Sequence, residues 1–142
     1  MSVSGLSVYN GPFEDFSLKV VRIPTPNKKN IDSILKELSN LTSIHNIAAF
    51  VYEPLVQGAA GMKMHCENGL NALIKYCNSN QIITIADEVM TGFGKTGKNF
   101  ASDYMENKPE IMCLSKALTA GLLPMGITSC SEKIYSAFYS DD

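Results

Sequence analysis

The sequence of 142 residues lacks several features that mark whole classes of protein. It has no apolar run near the roughly 18 residues that a membrane-spanning helix needs. Acidic and basic residues almost balance, with a formal net charge of −2, so charge gives no reason to expect binding to nucleic acid or to an anionic membrane. The two histidines do not lie at metal-ligand spacing with the four cysteines, and no Cys-x-x-Cys pair is present. We therefore expect no metal site, no nucleic-acid partner and no membrane span.

The cysteines and the first residues also predict a cellular location. Three of the four cysteines lie in apolar helix or strand patterns, where a buried free thiol is the expected state. The segment Met-Ser-Val-Ser-Gly does not have the charged start and apolar middle of a secretory signal. Both observations favour the reducing cytoplasm.

Apolar patterns divide the chain into alternating strands and helices. Mostly apolar runs predict five strands: 18–24, 47–52, 82–86, 111–114 and 125–130. The runs at 47–52 and 82–86 are typical of strands buried on both faces. Helices are expected, in part from apolar residues at helical spacing, at 31–41, 70–77, 99–106 and 132–138. This alternation predicts the α/β class, with a mostly parallel sheet flanked by helices.

A glycine-rich stretch, Gly92-Phe-Gly-Lys-Thr-Gly-Lys98, is one residue short of a phosphate-binding P-loop. A P-loop requires Ser or Thr after Gly-Lys because the hydroxyl binds magnesium, whereas Asn99 follows here. The loop should also leave a strand directly, but Asp87 and Glu88 would place two carboxylates where phosphate binds. Nucleotide binding is therefore the weakest alternative for this protein.

Charged residues follow three of the predicted strands at the point where each strand ends. Asp87 ends one strand, Lys116 follows the next, and Glu53 ends an earlier one. The separation of Asp87 and Lys116 is close to the roughly 30 residues of a strand–helix–strand crossover, which would bring them to the same edge of a parallel sheet. A cap or a solvated surface charge would be the ordinary explanation for each. Lys116 directly follows an apolar strand, however, and partial burial would make its amine a competent nucleophile toward carbonyls.

An acid facing a Schiff-base lysine is the arrangement that pyridoxal 5'-phosphate requires. The carboxylate keeps the pyridine nitrogen protonated, and the lysine holds and releases the aldehyde carbon. Asp87 and Lys116 are therefore candidate residues for a pyridoxal 5'-phosphate site.

Three segments make the chain resemble the class III pyridoxal-phosphate-dependent aminotransferases. They are YEPLVQGAAGM (52–62), IADEVMTGFGKTGKNFASDY (85–104) and PEIMCLSKALTAGLLPMGITSC (109–130). The series Asp-Glu, Gly-Phe-Gly-Lys-Thr-Gly and Ser-Lys-Ala-Leu is specific to that family. The resemblance implies a fold-type I transferase in which the glycine-rich stretch is a tight turn beside the cofactor.

The resemblance also implies a role for each candidate residue. Lys116 would be the Schiff-base lysine and proton shuttle, and Asp87 the partner of the pyridine nitrogen. Val89 would pack against the face of the cofactor ring, and Glu53 is expected near the cofactor.

Two residues bear on the substrate. Met90 stands where ornithine- and γ-aminobutyrate-type relatives commonly carry a Gln that reaches the cofactor's phenolic oxygen. This favours the biotin-pathway branch, in which S-adenosylmethionine donates an amino group to 8-amino-7-oxononanoate. Lys95 stands where that branch usually carries a substrate-binding Arg, and it keeps the charge without the bidentate fork. Another class III ω-aminotransferase, acting on ornithine, a diamine or γ-aminobutyrate, is the alternative.

The resemblance further implies that residues 1–142 are an internal part of the cofactor-binding large domain. The family's phosphate-binding Gly-Ser turn and ring-stacking Tyr would precede residue 1, and its small C-terminal domain would follow residue 142. We therefore expect no catalysis by these residues alone. The resemblance also implies a homodimer with shared sites for the whole protein. A non-catalytic truncated homologue is the alternative from a different class.

Overall fold

The computed structural model describes residues 2–5 and 11–139. Within these ranges the strands are β1 (Ala49–Tyr52), β2 (Val56–Gln57), β3 (Lys63–Met64), β4 (Ile83–Asp87), β5 (Ile111–Leu114) and β6 (Ile127–Cys130). The α-helices are α1 (Ile31–Ile44), α2 (Glu67–Ser79) and α3 (Glu132–Ser136). Short 3-10 helices cover Gly11–Phe16, Ala101–Tyr104 and Lys116–Thr119.

A four-stranded sheet with the order β1-β4-β5-β6 forms the centre of the fold, and β2 and β3 make a separate hairpin. Strand β1 is parallel to β4 and β4 is parallel to β5, whereas β6 is antiparallel to β5. Helix α2 connects β1 to β4 along the chain. The predicted α/β class with a mostly parallel sheet is therefore confirmed. Throughout the described ranges, each helix is too short or too polar to span a bilayer.

Four of the five predicted strands are present, and the prediction of a strand at 18–24 is wrong. The side chain of Leu18 is 77% exposed and that of Val21 is 55% exposed, so this apolar run is not packed into a core. A strand also needs a neighbour to pair its backbone N–H and C=O groups, and the described sheet does not include this segment. The helix expected at 99–106 is reduced to the 3-10 turn Ala101–Tyr104.

Helices α1 and α2 cover one face of the sheet. Their apolar residues join the buried strand residues in two clusters: Ile34, Leu38, Leu73, Cys77 and Ile82, and Tyr52, Leu70, Ile74, Ala86 and Met105. Each fully buried Leu or Ile side chain in such a cluster stabilises the fold by roughly 1.5–3 kcal/mol. Met105 lies in the connection between β4 and β5, so this connection also packs against the helix-covered face.

The opposite face of the sheet, which we call the open face, carries the other half of each strand's side chains. Along β4, Thr84 and Ala86 are buried, whereas Ile85 and Asp87 are only partly buried. Val51, which pairs with Ile85 in the strand register, is 38% exposed. The expected burial of both faces is therefore not observed among the described residues, because the described helices that pack on the sheet lie on one side.

Candidate active site

The parallel strands bring three of the predicted site residues to one edge of the sheet. Asp87 is the last residue of β4, Glu53 follows the end of β1, and Lys116 lies just beyond the end of β5. Asp87 pairs in register with Cys113 of β5, so the chain reaches Lys116 three residues after the partner of Asp87. The predicted convergence at the carboxyl edge is therefore observed, although the connection between β4 and β5 contains a glycine-rich loop and a 3-10 turn in place of a long helix.

The carboxylate of Asp87 is oriented by the chain that follows it. The backbone N–H of Val89 donates a hydrogen bond of 3.0 Å to Asp87 Oδ1. Among the described residues, no Lys, Arg or His forms an ion pair with Asp87. A carboxylate can accept about four hydrogen bonds, so this half-buried side chain keeps acceptor capacity for a cationic donor.

Lys116 occupies an unusual backbone conformation. Its φ angle is +36°, a left-handed conformation that residues with a Cβ rarely adopt. Such strain costs of order 1–3 kcal/mol and is found most often at functional sites. The neighbouring Ser115 hydroxyl donates a 2.6 Å hydrogen bond to the carbonyl of Met125, which ties this turn to the segment that precedes β6. The expected partial burial of Lys116 is wrong for the described structure, in which the residue is exposed.

Glu53 connects the end of β1 to the hairpin. Its Oε2 accepts a 2.8 Å hydrogen bond from the backbone N–H of Gly58. A Cβ at Gly58 would collide with the sulfur of Met90, so glycine allows the hairpin to approach the residue that follows Val89. Glu53, Val89 and Met90 are all partly buried. The end of β1, the hairpin and the end of β4 therefore form one continuous rim.

His65 follows the hairpin and is partly buried. Both nitrogens of its ring are inaccessible to solvent. Burial lowers the pKa of this imidazole, and the positive charge of Lys63 lowers it further. In the chain, His65 directly precedes Cys66, the N-cap residue of α2.

The glycine-rich loop folds on itself and does not form a phosphate cradle. The N–H of Gly92 donates to the carbonyl of Glu88, that of Gly94 to Asn99, and that of Gly97 to Gly94. A Cβ at Gly92 would lie 3.0 Å from the Glu88 carbonyl oxygen, which explains the glycine at this turn. Lys95 is exposed on the loop. The tight turn expected beside the site is therefore present, and its amide geometry does not favour the P-loop alternative.

Glu88 is the residue of this region that the sequence interpretation did not assign a role. It is 1% exposed and accepts hydrogen bonds from the Thr91 hydroxyl, the Ala101 amide and the Ser102 amide. Burial raises the pKa of the Tyr52 phenol, and the negative charge of Glu88 raises it further. The sequence does contain a signal for the burial of Glu88. Side chains alternate between the two faces of a strand, so position 88 falls on the same buried face as Thr84 and Ala86.

The acidic and thiol groups of the described residues do not gather into a metal site. Over residues 2–5 and 11–139, no group of three or more His, Cys, Asp or Glu side chains is arranged to hold a metal ion.

Comparison with known proteins identifies the family. The family model of aminotransferase class-III matches residues 1–142. The adenosylmethionine-8-amino-7-oxononanoate aminotransferase of Staphylococcus aureus is 38% identical to this chain over 152 residues, which cover 99% of the chain and 34% of the relative. The enzyme of the same name from Synechococcus elongatus is 40% identical over 148 residues, covering 99% and 35%. The chain therefore spans about a third of the length of these curated relatives.

Solved structures agree with this assignment. A Bacillus anthracis aminotransferase superposes with a TM-score of 0.73 at 30% identity, covering 84% of this chain and 29% of that one. An (S)-enantioselective ω-transaminase from Thermomicrobium roseum gives 0.70 at 32% identity, covering 75% and 24%. The chain belongs to the class III aminotransferases, a family of pyridoxal-phosphate-dependent enzymes.

Proposed function

We propose that these residues form part of the cofactor-binding large domain of an aminotransferase and carry the groups that hold the ring and the aldehyde carbon of pyridoxal 5'-phosphate. The observation that supports this most strongly is the position of Asp87 and Lys116 beyond the same ends of adjacent parallel strands. In open α/β sheets, ligands bind at this carboxyl edge.

The residues at this edge fit the chemistry of the cofactor. Asp87 has a carboxylate that lacks an ion-pair partner among the described residues, as a protonated pyridine nitrogen requires. Val89 offers a partly buried apolar side chain two residues away, and Lys116 offers an exposed primary amine. When bound, pyridoxal 5'-phosphate supplies an electron sink that stabilises negative charge at the amino-bearing carbon of a substrate.

Each residue has a defined task in the proposed reaction. Asp87 would accept a hydrogen bond from the ring nitrogen and, as an anion, would favour the protonated state of that nitrogen. Lys116 supplies the primary amine that would hold the aldehyde carbon. When free, its Nζ atom would serve as the general base and general acid that moves the proton of the substrate's amino-bearing carbon to the cofactor. Val89 would pack against the ring, and Glu53 fixes the hairpin beside it.

The proposed substrates are those of the biotin pathway. S-adenosylmethionine would donate the amino group, and 8-amino-7-oxononanoate would accept it to give 7,8-diaminononanoate. Support comes from the names of the curated relatives and from Met90, which stands where a Gln is common in ornithine- and γ-aminobutyrate-type enzymes. Lys95, exposed on the glycine-rich loop, would bind a substrate carboxylate as a single positive charge.

An ω-aminotransferase acting on ornithine, a diamine or γ-aminobutyrate is the second candidate. It is favoured by the likeness to the ω-transaminase of Thermomicrobium roseum. The chain is also similar to an ornithine aminotransferase of Plasmodium yoelii, with 29% identity and a TM-score of 0.66. Comparing S-adenosylmethionine with ornithine and γ-aminobutyrate as donors to the full-length protein distinguishes the two. We further propose a cytoplasmic homodimer, which analytical ultracentrifugation and fractionation would test.

Reductive trapping tests the assignment of the lysine. Borohydride treatment of the full-length protein with pyridoxal 5'-phosphate should fix the cofactor to the peptide that contains Lys116. The Lys116→Ala variant should lose this label, because no other amine takes the place of the Nζ atom. The matched variant Lys95→Ala, which removes an exposed lysine of the glycine-rich loop, should keep the label. A label that persists in Lys116→Ala would contradict the proposed function.

A further inference from the structure

Glu88 is a buried carboxylate without a cation beside it. Its side chain is 1% exposed, and among the described residues no Lys, Arg or His forms an ion pair with it. Burial of an unpaired carboxylate is costly unless hydrogen bonds replace the lost water. Here three donors converge on two oxygens. Ser102 N donates to Oε1 at 2.6 Å, while Ala101 N and Thr91 Oγ1 donate to Oε2 at 3.1 and 2.5 Å.

These bonds join the two ends of the glycine-rich loop. Thr91 lies at its beginning, and Ala101 and Ser102 open the 3-10 turn at its end. The backbone of Glu88 adds two more contacts, since its N–H donates to the carbonyl of Cys113 and its carbonyl accepts from Gly92. Glu88 therefore holds the two ends of the loop together through its side chain. Its backbone N–H joins the same region to β5.

The residues on either side of Glu88 face the candidate cofactor site. Asp87 precedes it on the open face, and Val89 follows it and donates the hydrogen bond that orients Asp87 Oδ1. The backbone of Val89 is thus held between the strand end and the loop that Glu88 closes. A change in the contacts of the Glu88 side chain would shift the backbone around it and, with it, the Val89 amide that orients Asp87 Oδ1.

We propose that Glu88 is a positioning residue for the cofactor: its buried carboxylate holds the Val89 amide in place, and that amide aims the Asp87 carboxylate at the ring nitrogen. The inference rests on the proposed function. Glu88 itself touches neither cofactor nor substrate, and it acts only through its neighbours.

A double-mutant cycle in the full-length protein tests this inference. The variants are Glu88→Gln, Asp87→Asn and the double variant, with Glu106→Gln as the matched control at an exposed position of the same connection. Glutamine keeps the shape of the side chain but replaces one acceptor oxygen with a donor, so it cannot satisfy three converging donors. The two readouts are the dissociation constant of pyridoxal 5'-phosphate and the 15N chemical shift of its labelled ring nitrogen.

We expect Glu88→Gln to weaken cofactor binding about tenfold and to move the nitrogen shift toward the unprotonated form, with no change in Glu106→Gln. In the Asp87→Asn background, Glu88→Gln should add less than about twofold, because its route to the ring has been removed. Full additivity, or a result for Glu88→Gln that equals the control, would overturn the inference and leave the proposed function intact. Unchanged binding and nitrogen shift in Asp87→Asn would overturn both.

Thr91→Val provides a milder variant in case Glu88→Gln does not fold. It removes one of the three donors to Glu88 and keeps the volume and branching of the side chain. We expect a nitrogen shift in the same direction as for Glu88→Gln, but smaller. A folded Thr91→Val protein with an unaltered nitrogen shift would count against the positioning role.

Discussion

The helix-covered face and the open face of the sheet differ in how deeply they bury side chains of the same strand, β4. On the covered face, Thr84, Ala86 and Glu88 are each 0–1% exposed and belong to the packed interior. On the open face, Ile85 and Asp87 are only partly buried. Since side chains alternate along a strand, one short segment supplies side chains both to the core and to the open face. The adjacent acids Asp87 and Glu88 therefore have opposite environments, one partly buried and one fully buried.

The largest difference between the faces is expected for apolar truncations. Ile74→Ala removes a side chain that is 0% exposed and should reduce the free energy of unfolding by about 2–5 kcal/mol through lost burial and a cavity. Val51→Ala, on the open face at 38% exposure, should cost less than about 1 kcal/mol. Urea denaturation of the full-length protein would measure both. Equal losses would show that the open face is covered as firmly as the other.

The next largest difference concerns the two acids. Glu88→Gln should reduce the free energy of unfolding by about 1–3 kcal/mol, because three hydrogen bonds to a buried charge are disrupted. Asp87→Asn should change the free energy of unfolding by less than about 1 kcal/mol in the absence of cofactor, because the one hydrogen bond of the Asp87 side chain comes from a neighbouring amide. Thermal unfolding of the cofactor-free variants compares them. A larger loss for Asp87→Asn would reverse the proposed division of roles.

Tyr52 offers a smaller test of the covered face. Its hydroxyl is buried and has no hydrogen-bond partner among the described residues, and the carboxylate of Glu88 disfavours ionisation of the phenol. Tyr52→Phe removes that unsatisfied group and keeps the ring, so stability should be unchanged or rise by up to about 1 kcal/mol. A destabilised Tyr52→Phe protein would mean that the hydroxyl has a partner that the described residues do not provide.

The smallest expected effect is a dependence of stability on pH at the rim. Because burial and Lys63 lower the pKa of His65 in the folded chain, the unfolded chain binds the proton more tightly. His65 should therefore leave stability unaffected well above its ordinary pKa of 6.5 and reduce it as the pH falls below that value. His65→Gln should flatten this part of the stability profile between acid and neutral pH. An unchanged profile would contradict the assignment.

The sequence predicts much of this fold because its strongest patterns are local. The apolar runs at 47–52, 82–86 and 111–114 each become strands, and their parallel arrangement brings Asp87 and Lys116 to one edge. The segment 18–24 has a similar pattern but no strand, since pairing depends on a neighbour that periodicity does not describe. The contacts of Glu88 were also beyond prediction, because they join residues 13 and 14 positions away through a folded loop.

The cysteines also show that local sequence patterns do not predict tertiary packing. Three of the four cysteines are expected to be buried free thiols, and this is confirmed for Cys77, where burial raises the pKa of the thiol to about 11. Cys130, the last residue of β6, is exposed. Strand β6 is exposed along its whole length, whereas α2 is packed between α1 and the sheet. Local hydrophobicity indicates which residues can be buried, and tertiary packing determines which of them are.

The central claim is that Asp87 and Lys116 contact one and the same pyridoxal ring, and a crystal structure of the full-length protein with pyridoxal 5'-phosphate tests it most directly. We predict continuous density from Lys116 Nζ to the cofactor and an Asp87 oxygen about 2.7–3.2 Å from the ring nitrogen. A cofactor bound through a different lysine, or a ring nitrogen that faces no carboxylate from position 87, would contradict the claim.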